Sequence, residues 1–200
     1  MEDLQPRPQV SWRRVPGLLE GQSPYRATMN AAESKKLERI DAAFRAGDLE
    51  ALRAAVDDPS IVPNGQMPLS IGPCLTYAIY WSPLAFIREL LDLGADPNHD
   101  DGDGFPPLHA ALSKTHPHPG SMTRTDVNDV IAMLLKFGAD PNQRGFNDYT
   151  ALHKAVEERN TGAIDLLLDA GADPKLKTRI DDYETPGEMA RKAGLASRLP

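Results

Sequence analysis

The sequence predicts an all-α repeat protein. It reads as a solenoid of about five stacked helix pairs, with hairpin-like finger loops between units and atypical units at both ends. Two observations predict it. Gly-Ala-Asp-Pro occurs three times, beginning at Gly94, Gly138 and Gly171, with spacings of 44 and 33 residues. A leucine precedes each copy: Leu75 and Leu152 lie 19 residues ahead, and Leu108 lies 30 ahead, which is 19 plus 11. The period is therefore 33 residues, and one unit carries an 11-residue insertion.

Residues 1–36 hold no sustained period and read as a disordered leader. Met29, just ahead of a helical opening at Ala31, is an alternative start, and Trp12, Arg13 and Arg14 are contact candidates in this arm. The repeat domain spans 37–200, in units of about 37–65, 66–98, 99–142, 143–175 and 176–200. In the first, Ile40, Ala43 and Phe44 recur at helical spacing, Gly47-Asp48 joins two helices, and Leu49, Leu52 and Val56 follow. In the second, Ser82 reads as an N-cap and Pro83 as the first helical residue before Phe86, Ile87, Leu90 and Leu91. The third carries the insertion, residues 114–125, between its helices. Its Thr, His, Pro, Gly and Ser cannot build a core, which makes it an exposed loop on the edge opposite the fingers.

In the fourth unit Thr150 caps a helix through Leu152, Ala155 and Val156, and a second helix runs through Ile164, Leu166, Leu167 and Leu168. Gly171 ends that helix in the left-handed conformation, and Pro174 prevents its resumption. The last unit has 25 residues, Leu176–Pro200, too few for two full helices. It should leave the apolar face of the Ile164–Leu168 helix open, an invitation to self-association.

Charge narrows the partner. Residues 1–36 carry six Lys/Arg against four Asp/Glu, and residues 37–200 carry 16 against 25, a balance of −9. An acidic body repels phosphate backbones, so a protein with a basic surface is the expected partner and nucleic acid is not. No apolar run approaches the ~18–20 residues of a membrane span, and the expected location is cytoplasmic. Cys74, the only cysteine, sits among Ile71, Leu75 and Ile79 and reads as a buried, inert thiol.

Thr150-Ala151-Leu152-His153-Lys154-Ala155 and Pro106-Pro107-Leu108-His109-Ala110-Ala111, with the Gly-Ala-Asp-Pro endings, resemble the ankyrin repeat over about residues 37–193. Pro73-Cys74-Leu75-Thr76 is a degenerate opening, and Thr185-Pro186-Gly187 places glycine where the family has leucine. The opening unit looks like those of stand-alone bacterial members. The resemblance implies binding through finger tips and inner helices. Carried over, that surface comprises Asp101, Asp103 and Phe105 from one finger and Arg144, Phe146, Asp148 and Tyr149 from the next. Arg179, Asp182 and Tyr183 come from the last. It also gives His109 and His153 a structural role, the ring bonding backbone at the helix head.

No cofactor, metal or catalytic residue is expected. His109 and His153 sit in successive units, an estimated ~10 Å apart, too far to share one zinc ion. Asp100, Asp101 and Asp103 lack the register of a calcium loop, since His99 would be its first position and Ala110 its twelfth. The leading expectation is a non-catalytic interaction module, an adaptor or regulator. The alternatives are a stoichiometric inhibitor or immunity protein, and a metal-dependent enzyme using His116 and His118.

Overall fold

The computed structural model describes residues 29–69, 71–100, 105–113, 124–145, 148–179 and 183–199. Nine α-helices occur among them: α1 (Ala31–Ala46), α2 (Leu49–Ala55), α3 (Cys74–Trp81), α4 (Leu84–Asp92), α5 (Pro107–Leu112), α6 (Val127–Lys136), α7 (Ala151–Glu157), α8 (Thr161–Asp169) and α9 (Pro186–Lys192). They form two rows. The inner helices α1, α3, α5, α7 and α9 pack each on the next, and α4, α6 and α8 stack behind them.

The first helix begins earlier than the unit boundary read at residue 37. Asn30 caps α1, its side chain accepting from the amides of Ala32 and Glu33 while Glu33 reaches back to the Asn30 amide. Residues 31–36 are thus helical, which corrects the leader's limit. Residues 1–28, with Trp12, Arg13 and Arg14, lie outside the described residues. Gly47 then turns the chain in the left-handed region (φ 66°), and Asp48 caps α2 by accepting from Ala51.

Gly94, Gly138 and Gly171 have φ of 91°, 92° and 91°, one conformation used three times to end α4, α6 and α8. After each, the alanine amide returns to a leucine carbonyl: Ala95 to Leu90, Ala139 to Leu134, Ala172 to Leu167. The next polar residue joins the units. Asn64 donates to the Gly94 carbonyl and accepts from the Asp96 amide. Asn98 does the same with Gly138 and Asp140, and Asn142 with Gly171 and Asp173. Lys175 stands at the following position of this series, where the clasp stops.

Two local expectations shift. Ser82 does not cap α4: the chain enters through Pro83, whose carbonyl accepts from Phe86, and Ser82 is buried at the end of α3. Thr150 precedes α7 as expected, but its amide and hydroxyl both meet Nδ1 of His153, at 3.0 and 2.8 Å.

The C-terminal end is covered. A 3-10 turn, Ala196–Arg198, packs on α8, Arg198 pairs with Asp165, and Leu199 joins the core with Leu195 beside it. Ile164 and Leu167 are fully buried. The expectation of an open α8 face inviting self-association therefore loses its ground, because about one turn of chain suffices to cover it. Gly187 also acquires a reason: its amide approaches the Pro174 carbonyl at 3.1 Å, tying α9 to the preceding unit. Among the described residues no helix is long and apolar enough to cross a membrane.

Candidate functional site

The connections into the inner helices are short antiparallel fingers. Gln66–Met67 (β1) pairs with Gly72–Pro73 (β2), and Arg144 bridges Thr150. Gly145 donates to the Tyr149 carbonyl at 2.8 Å, and Thr178 to that of Glu184 at 3.1 Å. Each hairpin fixes where the next helix starts.

The last two fingers are joined by an ionic clasp. Asp148 accepts from Nη1 of Arg144 at 2.6 Å and from Nε and Nη2 of Arg179 at 3.0 and 2.6 Å, as well as from the Arg179 amide. Arg144 also donates to the Asp148 and Lys177 carbonyls, at 3.0 and 2.9 Å. Burial pushes the Asp148 carboxyl upward, but the hydrogen bonds from Arg179 and the two positive charges outweigh it and hold the carboxyl below the usual range.

Behind the fingers, two histidines fasten each unit to the next. His109 Nε2 lies 3.2 Å from the Gln143 carbonyl, and His153 Nε2 lies 3.1 Å from that of Glu184. Since Nδ1 of His153 accepts from the Thr150 amide, Nε2 carries the proton and donates. The expected structural role holds, and the partner is the following unit's backbone. Burial holds both rings below their ordinary pKa, His109 at about 4, so they are neutral near pH 7.

A family model described as ankyrin repeats (3 copies) matches residues 75–178, just over half of the chain. The chain belongs to the ankyrin-repeat family. Among curated proteins, no sequence matches it. Ankyrin repeats generally mediate protein–protein interaction, and the fingers and inner row are the parts of this stack to test for it.

Within that ankyrin frame, the predicted contact residues separate into three groups. Asp101, Asp103, Phe146 and Asp182 lie outside the described residues. Arg144 and Asp148 are brought together but committed to the clasp, with side chains only 27% and 9% exposed. The third group faces outward: Phe105 at 36%, Tyr183 at 60% and the Arg179 side chain at 73%. Tyr149 is half-buried and stacks on His153 with ring centroids 5.2 Å apart.

Sequence reasoning missed Arg124. It closes the insertion, its side chain 3% exposed, and donates to the carbonyls of Ile79 and Ser82 at 3.1 and 2.8 Å while pairing bidentately with Asp126. An arginine two residues before an aspartate at a helix entrance was the available signal; its carbonyl partners lie 42 and 45 residues away. His116 and His118 lie outside the described residues, and no group of three or more potential metal ligands occurs among the described ones. The Cys74 thiol is pushed up to about 12 by burial, far from a reactive thiolate.

Proposed function

We propose that this ankyrin-repeat chain is a non-catalytic interaction module, an adaptor or regulator that binds one protein through its finger tips and inner helices in the cytoplasm. The observation that supports this most is the Asp148 clasp. It fixes two neighbouring fingers to each other, and a surface rigid before contact loses less entropy on binding. Tyr149, Tyr183, Arg179 and Phe105 are the described side chains on this surface suited to contact, and Asp101, Asp103, Phe146 and Asp182 extend it. The balance of −9 over residues 37–200 favours a partner with a basic surface and disfavours nucleic acid.

The test is affinity capture with the full chain as bait, followed by mass spectrometry and a binding isotherm on the recovered protein. The expected result is one partner whose association slows as salt rises. Changing Tyr149, Arg179 and Tyr183 together to alanine should weaken it by roughly thirtyfold. Replacing residues 114–125 with a short Gly-Ser turn should matter less. The reverse ranking would move recognition to the insertion. Relief of a co-expressed toxin's lethality by this chain would make it an inhibitor instead.

A further inference from the structure

We propose that Tyr183 is the anchor of the partner contact, held in a strained backbone conformation that the fold itself does not require. This rests on the binding role proposed above and names the residue and the recess it needs.

Four residues other than glycine have positive φ among the described residues: Leu69 (62°), Asp148 (59°), Arg159 (54°) and Tyr183 (53°). Asp148 and Tyr183 occupy one register, each two residues before the threonine that opens an inner helix. Aspartate visits the left-handed region readily, whereas a bulky side chain there is an outlier. Asp148 is also compensated inside the molecule by the bonds to Arg144 and Arg179. Arg159, in the place that Gly47 fills in the first unit, has its own return: Nη1 donates to the Ala193 carbonyl at 2.8 Å and closes the end of α9. Leu69 is half-buried.

Tyr183 has no such compensation. Its side chain is 60% exposed, the most exposed of the large apolar and aromatic side chains described, and no described residue bonds its hydroxyl or stacks on its ring. Strain at ligand-contact positions persists where the surroundings hold it and binding uses it. The surroundings here are fixed on both sides: Thr178 bonds Glu184, and Thr185 with Glu188 locks the start of α9. The result is a rigid base that presents a phenol outward. Its complement on the partner is an apolar recess sized for one ring, with an acceptor for the hydroxyl at its floor. A tyrosine suits this because only two side-chain torsions are fixed on docking.

The experiment compares Tyr183→Gly, Tyr183→Ala and Tyr183→Phe in the full chain, by thermal melting and by affinity for the protein that the wild-type bait retains. At an ordinary position glycine melts below alanine, because its unfolded chain is freer. At a strained left-handed position the order inverts. Y183G should melt above both Y183A and the wild type, by roughly 2–4 °C. Y183G and Y183A should both lose affinity by roughly tenfold or more. Y183F should keep the wild-type melt and lose roughly three- to tenfold, the share of the hydroxyl. Y183G melting at or below Y183A would overturn the strain, and unchanged affinity in both would overturn the anchor. The melts need no partner. A wild-type bait that retains nothing would therefore sink the binding reading by itself, while the glycine–alanine order independently decides the strain.

Discussion

The seam between units and the fingers in front of it are built from the same repeats on opposite principles. Along the seam the same bonds recur: Asn64, Asn98 and Asn142 each clasp the next Gly-Ala-Asp turn, and His109 and His153 each reach the next finger's backbone. In the fingers nothing recurs. One has two strand pairs around Leu69, the next is tied by Asp148, and the last presents Tyr183. Both regions use side chains to bond neighbouring units, but the seam bonds backbone, whose position the repeat guarantees. Finger side chains meet other side chains, which vary. Repetition therefore carries stability, and departure from it carries specificity.

The sharpest way to break the comparison is through the core behind the seam. Leu152 is fully buried, and Leu152→Ala should cost about 2–5 kcal/mol through lost transfer energy and a residual cavity, read from a circular dichroism melt. Leu166 is only half-buried, so Leu166→Ala should cost clearly less. Equal losses would mean that the α8 face is assigned wrongly.

Acid should loosen the seam next. His109 has a folded pKa of about 4 against an ordinary value of about 6.5, so between those values the unfolded chain takes up the proton and the folded chain resists it. His153 is shifted in the same direction. Stability should be flat above about pH 6.5 and decline as pH falls toward about 4, with His109 contributing on the order of 3 kcal/mol over that window. His109→Gln should flatten the slope by about one proton. A variant that retains the full slope would place the acid sensitivity elsewhere.

The clasp asparagines come third. Asn98→Ala removes two hydrogen bonds to the Gly138 and Asp140 backbone and should cost about 1–3 kcal/mol in urea unfolding, with Asn142→Ala close to it. A large disparity between the two would deny that the seam is uniform. Smallest is the contrast inside the finger clasp. Arg144 is mostly covered and donates to Asp148 and two carbonyls, so Arg144→Ala should cost about 1–2 kcal/mol. Arg179 is largely exposed, and Arg179→Ala should cost no more than about 1 kcal/mol in the same titration. The reverse order would make Arg179 the strut and free Arg144 for a partner.

Much of the stack was legible because it is local and periodic. The 33-residue spacing, the leucine anchors and the glycine stops at 94, 138 and 171 each describe a helix or a helix end, and helices depend on neighbours three or four positions away. The candidate site was legible only as a list of exposed residue types. Arg144 and Arg179 look alike in sequence, yet one is a strut and the other faces solvent, since that depends on where a finger one unit later places its carbonyls. Ser82 looked like a cap because Ser-Pro commonly opens a helix; packing at the end of α3 buried it and let Pro83 take the position.

The sequence by itself determined the repeat, its period, the helix pairs and the acidic balance, because these follow from spacing and composition along one chain. Tertiary structure decided how the C-terminal end is covered, which arginine closes the insertion and which left-handed residue is compensated. Leu199, Arg124 and Tyr183 owe their roles to groups a full unit or more away, or to the lack of one among the described residues, and no local pattern encodes that distance.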